Sequence, residues 1–327
     1  MQSPKPLVVI LGTGGTIAGR AATRTDTTGY TAGAVGVEAL VAGVPELAAH
    51  RLEAEAVAAI DSKDMDAETW QRLASRVAFH AARAEVAGIV VTHGTDTVEE
   101  TAYFLHRVLA PAKPVVLTAA MRPSTALSAD GPANLLDAVT LAQEPGARGV
   151  MLAFGGAVWH PVGLRKVHTL RTSAFEGSDC GPIARMEGGV LRRFRAWPEG
   201  DAVGLGRIAA PAADWPRVEI VLNHAGADGW LVDAAVEAGV RGLVVAGTGH
   251  GSISARMEDA LVRARERGVR VRRASRCAFG PVLPKPASEG EADDESVGDL
   301  SAVQARVALM LELMGTPDVN TGSGLKT

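Results

Sequence analysis

Leu7-Val8-Val9-Ile10-Leu11-Gly12-Thr13-Gly14-Gly15-Thr16 opens the regular part of the chain and decides its fold. Five consecutive apolar residues running into glycines read as a buried strand that ends in a tight turn. The same grammar recurs at Gly88–Thr92, which runs into His93-Gly94-Thr95-Asp96-Thr97. Further strands are expected at Ala56–Ile60, Pro114–Ala119 and Gly149–Phe154. Between them lie helical patterns. One runs from an Asp66 N-cap to about Glu85, with Trp70, Leu73, Val77 and Ala81 at helical spacing. Others run from about Thr97 to Leu109 and from about Pro132 to Gln143. Strands alternating with helices predict an α/β fold with a parallel sheet, and the short apolar strands suit burial on both faces.

Working outward, the stretch Glu199–Trp215 is rich in Gly, Ala and Pro and loses periodicity, so it reads as a linker. A second alternation follows: strand Val218–Leu222, a short helix to Ala238, strand Gly242–Gly247, helix Ser254–Gly268, strand Val269–Ala274 and a helix at Ser301–Met314. The expected organisation is therefore two α/β domains. A larger N-terminal one (1–198) has a flavodoxin- or Rossmann-like parallel sheet and is joined by the linker 199–215 to a smaller C-terminal one (216–327). Length agrees, because 327 residues is about two domains' worth of chain. With 47% apolar and 21% charged residues and a mean hydropathy of +0.12, whole-chain disorder is excluded. Lys plus Arg number 33 against 37 Asp plus Glu, a net charge of −4, which argues against a nucleic-acid binder. The apolar runs are too short and broken for a transmembrane helix, so no membrane partner is expected. Met1–Pro6 leads into a strand-like run rather than a signal-peptide core, which makes the cytoplasm the expected compartment.

Ligands of open parallel sheets bind beyond the carboxyl ends of the strands. Two such places here are rich in small polar residues, Thr13–Thr16 and Thr92–Thr97. Their hydroxyls are candidate nucleophiles and Asp96 a polar partner, although Gly12–Gly15 reads equally well as a tight βα turn with a Thr cap. A phosphate cradle is not supported: after Gly12 and Gly14 the third glycine of GxGxxG would fall on Ile17, and GxxxxGK[ST] and GxSxG are absent. Of the six lysines, Lys63 and Lys166 lie near strand ends or βα loops, where either a tuned base or a solvated charge fits. The histidines show no metal-ligand spacing, and Cys180 and Cys277 are too few for a disulfide framework or a structural zinc site. Neither a metal nor a cofactor is expected. The arginines between Arg263 and Arg273 read as a solvated face.

Thr13-Gly14-Gly15-Thr16-Ile17-Ala18-Gly19 and His93-Gly94-Thr95-Asp96-Thr97-Val98-Glu99-Glu100-Thr101-Ala102 together resemble the two signature motifs of the bacterial-type L-asparaginases. Ala120–Thr125 with Ser128–Pro132 resembles a third block of that family, and Tyr30–Val37 and Val303–Arg306 fit as well. The matches run from about residue 7 to residue 314, and ten consecutive residues of the second motif make the resemblance specific.

The resemblance implies a small-molecule amide substrate and a threonine acyl-enzyme that converts L-asparagine to L-aspartate and ammonia, with L-glutamine as a second substrate. It implies Thr16 as nucleophile, Tyr30 as the tyrosine of the family's flexible loop, and Thr95, Asp96 and Lys166 as a second hydroxyl relay. Which threonine attacks first stays open. A Thr hydroxyl needs a nearby base at neutral pH, and a Lys hydrogen-bonded to Thr95 and Asp96 can accept a proton through such a relay. Ser62 matches the serine that takes the substrate carboxylate, and the resemblance adds Gly15, Gly94 and Ala120 to the substrate site. Three positions depart from the family. Lys63 stands where a neutral or acidic residue usually helps hold the substrate ammonium, and must turn away, pair with an acid or weaken binding. Glu291 is the match for an acidic residue reaching in from a neighbouring subunit, on a loop that is shorter here; a solvated acidic loop is the alternative. Ser252 replaces a neighbouring-subunit Asn. His93 reads as structural. A site completed by a neighbour implies a homo-oligomer, a tetramer built as a dimer of intimate dimers. Two other functions remain compatible with the residues: a non-catalytic amino-acid-binding or sensing protein, and a hydrolase of related amides lacking the α-ammonium, the latter suggested by Lys63.

Overall fold

The computed structural model describes residues 5–284 and 295–315. The chain divides into two compact units, Met1–Leu205 and Gly206–Thr327. The first begins with β1 (Leu7–Gly14), a short hairpin of β2 (Arg20–Ala21) and β3 (Tyr30–Thr31), α1 (Val37–Ala42) and β4 (Arg51–Ile60). It continues through α2 (Ala67–Ala81), β5 (Val86–Thr92), α3 (Val98–Leu109), β6 (Pro114–Thr118), α4 (Gly131–Ala142) and β7 (Gly149–Phe154). Short strands close it: β8 (Ala157–Trp159), β9 (Arg165–Lys166), β10 (Phe175–Glu176), β11 (Ala184–Glu187) and β12 (Val190–Arg193).

Eight of these strands form one sheet in the order β12-β11-β8-β7-β6-β5-β1-β4. The pairs β4/β1, β1/β5, β5/β6 and β6/β7 are parallel. All eight residues of β1 are buried, as a strand covered on both faces requires. One face packs Val8, Ile10, Val90 and Val116 against Val37 and Leu40 of α1 and Leu135 and Ala138 of α4. Because the chain runs from β1 outward to β4 and then back across to β5, the order reverses at β1. A crevice is expected at such a switch point.

Where the sequence reading and the fold differ, the reasons are local. β4 starts at Arg51, five residues before the expected Ala56, because it is an edge strand whose Arg51, Glu53 and Glu55 alternate with apolar residues; charged edges discourage pairing with other chains. α2 stops at Ala81 rather than near Glu85, since the Arg83 amide turns back to the His80 carbonyl and β5 already begins at Val86. The sheet is also mixed rather than purely parallel. Gly155-Gly156 and Gly188-Gly189, all at positive φ, form two-residue turns that reverse the chain and add β8, β11 and β12 antiparallel.

In the second unit, β13 (Val218–Leu222), α5 (Trp230–Glu237), β14 (Gly242–Gly247), α6 (Ala255–Glu266), β15 (Arg270–Ser275) and α7 (Ala302–Leu313) make a three-stranded parallel sheet, order β13-β14-β15. Leu243 and Val245 pack against Val232, Val236, Met257 and Leu261. Among the described residues no helix is long and apolar enough to cross a membrane.

α2 supplies a test of the local reading. The Asp66 side chain accepts the Thr69 amide at 2.8 Å, satisfying one orphan donor of the first turn. Asp66→Ala is expected to cost about 1 kcal/mol, read as a lower urea midpoint with an unchanged slope.

Candidate active site

The carboxyl ends of β4, β1 and β5, three adjacent strands, converge on one spot. The Gly15 amide donates to the Ile60 carbonyl at the end of β4 (2.8 Å), and Gly15 has φ +78°. Its α-carbon faces Gly94 so closely that a β-carbon on Gly15 would lie 2.4 Å from both the α-carbon and the nitrogen of Gly94. A β-carbon on Gly94 would in turn lie 2.4 Å from Ser62 Oγ. Three main-chain segments therefore meet with no side chain between two of them. Thr16 and Thr95 are the residues that follow these glycines, and both are buried, as is Ser62.

Thr16 opens a single 3₁₀ turn (Thr16–Ala18), and its Oγ1 shares a 2.6 Å hydrogen bond with Tyr30 Oη. Tyr30 reaches it from β3, which pairs with β2, and its ring lies over Gly19, where a β-carbon would approach to 2.9 Å. Opposite, Lys166 Nζ donates to Thr95 Oγ1 at 2.9 Å and to Asp96 Oδ1 at 2.6 Å. Lys166 stands in β9, a two-residue strand paired only with β10, some seventy residues along the chain from its partners. The Asp96 amide donates to Ser62 Oγ (3.2 Å) and Thr97 Oγ1 donates to the Ser62 carbonyl (2.7 Å), which ties the end of β4 to the start of α3.

Behind Gly94 runs a buried chain of hydrogen bonds with one direction. Trp70 Nε1 donates to Thr101 Oγ1 at 2.9 Å, and Thr101 is 2.9 Å from His93 Nε2. His93 Nδ1 lies 2.7 Å from the Gly94 carbonyl, which can only accept, so Nδ1 carries the proton and Nε2 accepts from Thr101. Burial pushes the His93 pKa down to about 4, with the Gly94 hydrogen bond opposing that shift. The imidazole is neutral, has both ring nitrogens taken by Thr101 and the Gly94 carbonyl, and holds the Gly94 main chain in place, the structural role expected for it.

The remaining expected residues fall as follows. Lys63, with 61% of its side chain exposed, turns to Asp61 (2.6 Å) and Asp64 (3.5 Å), and the Asp61 carboxylate holds its ammonium above the usual lysine pKa. Pairing with an acid, one of the three fates open to it, is seen here. Ala120 is buried just beyond β6, in a turn whose Met121 and Arg122 amides donate to the Asp130 carboxylate (2.9 and 3.0 Å). Ser252 lies in the second unit, exposed and bridged to Thr248. Glu291 lies outside the described residues. Among the described residues no group of three or more His, Cys, Asp or Glu side chains is arranged to hold a metal ion.

Sequence reasoning missed three contributors. Glu99, which accepts the Lys166 amide at 2.7 Å, reads in sequence as an ordinary acidic residue of a helix first turn. Trp70 reads as one residue of a helix's apolar spacing, and Thr101 only as one residue of the second motif. Their hydrogen bonds cross between two helices, so no spacing along the chain announces them.

Two family models match the chain: "Asparaginase, N-terminal" over residues 7–198 and "Glutaminase/Asparaginase C-terminal domain" over residues 217–321. Among curated proteins, L-asparaginase 2 of Bacillus subtilis is 37% identical, the match covering 96% of this chain and 84% of the relative. The glutaminase-asparaginase of Pseudomonas fluorescens is 36% identical, over 95% of this chain and 87% of the relative. The crystal structure of the "probable cytoplasmic L-asparaginase" of Campylobacter jejuni superposes with a TM-score of 0.88 at 38% identity, covering 95% of this chain and 96% of that one.

The buried His93 has a consequence for stability. Its folded pKa of about 4 lies below the 6.5 of an unperturbed imidazole, so between these values the unfolded chain binds more protons. Its contribution is complete above about pH 6.5 and is lost as pH falls toward 4, at up to about 1.4 kcal/mol per pH unit. Urea unfolding across this window should show that loss, and His93→Gln should remove about one proton from the slope. Gly15→Ala, whose β-carbon meets Gly94 main chain, should abolish activity and lower the urea midpoint.

Proposed function

The chain belongs to the asparaginase family, and from that premise we propose that it hydrolyses the side-chain amide of L-asparagine to L-aspartate and ammonia, with L-glutamine as a second substrate. The observation that carries the reading is the pair of hydroxyl relays, Thr16–Tyr30 and Thr95–Lys166–Asp96, held on two loops whose glycines touch.

In this reading Thr16 Oγ1 attacks the amide carbon and forms the C–O bond. Its proton leaves along the 2.6 Å hydrogen bond toward Tyr30 and is delivered to the departing nitrogen, so that the C–N bond breaks and ammonia leaves. The acyl group then stays on Thr16 as an ester. A water oriented by Thr95 adds to the ester carbonyl, and collapse returns a proton to Thr16 and frees aspartate. The Lys166 ammonium, donating to Thr95 and Asp96, orients the Thr95 hydroxyl toward that work. Backbone amides near Thr16, with Thr95, stabilise the oxyanion. Ser62 takes the substrate carboxylate. Asp96 supplies one carboxylate for the substrate ammonium, and Glu291 of a neighbouring subunit supplies a second. A homotetramer arranged as a dimer of intimate dimers is part of this proposal, with a sedimentation measurement as its check. The name of the Campylobacter jejuni relative supports a cytoplasmic placement.

Lys63 bears on the choice of substrate. Because its charge is already matched by Asp61 and Asp64, it does not oppose a bound α-ammonium, which favours an amino-acid amide over an amide lacking that group. The relays favour an enzyme over a binding protein, since recognition alone needs no lysine hydrogen-bonded to a buried threonine.

Ammonia release from L-asparagine and L-glutamine tests the whole. Thr16→Ala should lower kcat by at least about 10³-fold. Thr95→Val keeps the shape but loses the hydroxyl, and should lower it about 10²-fold with little change in KM. No release from folded wild-type protein on either substrate would overturn the reading.

A further inference from the structure

Lys166 poses a question that its side-chain contacts leave open. A two-residue strand paired with another two-residue strand is a weak support, and both lie outside the eight-stranded sheet. Yet the ammonium is held within hydrogen-bond reach of two partners at once. Something must fix the main chain from which it extends.

The hydrogen bonds around β9 identify that support. The ribbon partner takes the next amide along: Val167 N–H donates to the Ala174 carbonyl at 2.8 Å. The Lys166 amide faces the other way, toward α3, where Glu99 Oε2 accepts it at 2.7 Å. Glu99 is the second residue of α3, four residues after Thr95 and three after Asp96. The lysine is thus gripped at both ends by one helix start, its ammonium by Thr95 and Asp96 and its amide by Glu99.

Resting on the function proposed above, we propose that Glu99 is the positioning residue of the second relay, setting the main chain of Lys166 so that the ammonium meets Thr95 and Asp96 together. It touches no reacting atom. It acts through Lys166, and a displacement of about 1 Å in a catalytic group costs on the order of 10²-fold in rate.

The charge state of Glu99 adds a signature. Burial pushes its pKa up to about 7; the Lys166 amide and the charges of Arg165 and Lys166 on β9 oppose that rise, and Glu100 beside it on α3 supports it. A carboxylate is a stronger acceptor than a neutral carboxyl group or an amide. The anchor therefore tightens as pH rises through 7.

The test uses full-length wild type, Glu99→Ala and Glu99→Gln. With L-asparagine, Glu99→Ala should lower kcat about 10- to 100-fold with KM within about two-fold. Glu99→Gln keeps an acceptor oxygen, so below pH 6 it should stay within about three-fold of wild type. It should fall progressively behind above pH 7, losing the inflection there. Hydrogen exchange of the peptide containing Lys166 gives a readout independent of activity: its amide should exchange at least about ten-fold faster in Glu99→Ala and remain protected in Glu99→Gln. A kcat for Glu99→Ala within two-fold of wild type overturns the proposal, as does an equal loss in both variants at every pH. Unchanged exchange in Glu99→Ala overturns it as well. If Glu99→Ala does not fold, the Glu99→Gln pH profile decides. If wild type releases no ammonia, the proposed reaction fails while exchange still decides whether Glu99 anchors Lys166.

Discussion

Two glycines in contact, Gly15 and Gly94, set the geometry from which the rest of this site follows. Neither position has room for a β-carbon, because the main chain of the other loop, or Ser62, already occupies that space. The close approach is possible only because β1 and β5 are neighbours at the switch point of the sheet, with β4 on the other flank of β1. Each strand then delivers one polar side chain to the same place: Thr16 from β1, Ser62 from β4 and Thr95 from β5. Bulk at either glycine would spread the loops and separate the two hydroxyls.

Contact alone does not fix a loop's orientation, and the layer behind Gly94 does that. His93 is anchored through its own amide to the Thr118 carbonyl of β6 and through its ring to Gly94 and Thr101. Trp70, stacked on Phe104 with ring centroids 4.8 Å apart, ends the chain of donors. Each ring nitrogen of His93 has one partner of the right sense, so the imidazole sits in a single tautomer; the other would set an Nδ1 lone pair against the Gly94 carbonyl oxygen. A buried network with all members satisfied is rigid, whereas one with a member missing leaves a polar atom stranded. The sheet, helices α2 and α3 and the loop after β5 are therefore held as one body beneath the hydroxyls.

This layering explains what could be read from the sequence. Continuous apolar strands such as Gly149–Phe154 and Gly242–Gly247 coincide with the structure residue for residue, because burial on both faces leaves no polar residue to blur their ends. The glycine–threonine turns were legible for the same reason, and with the family resemblance they pointed to Thr16, Thr95 and Asp96. The edge strand β4 was half hidden, since its charged alternation looks like loop. The short β9 was invisible, since two residues carry no periodicity; lysine usage left Lys166 between a tuned base and a solvated charge, and only the resemblance gave it a role. The pairing of Lys63 with Asp61 and Asp64 depends on a local turn, Ser62–Asp64, in which the Asp61 side chain also accepts the Lys63 amide. Glu99 was hidden by a plausible local role. An acid near a helix N-terminus is what the dipole favours, and only the tertiary fold shows that its oxygen belongs to a distant lysine.

Exposure divides the site into a floor and a rim. Thr16, Ser62 and Thr95 are buried, while the Asp96 carboxylate is 52% exposed and the Lys166 side chain 19%. Water at the rim screens the Lys166–Asp96 pair, which keeps its strength modest while the site is open. In the function proposed above, an amino-acid amide seated against Ser62 and Asp96 displaces that water, and each charge contact then acts through a lower dielectric. The Lys166–Asp96 pair is then screened less by water. The Lys166–Asp96–Thr95 set thus spans the boundary between a buried floor and a wet rim. Its lysine is held at both ends, the ammonium by Thr95 and Asp96 and the amide by Glu99; under the Glu99 proposal that division has a use. The ammonium must respond to a change in its surroundings while the main chain behind it stays still.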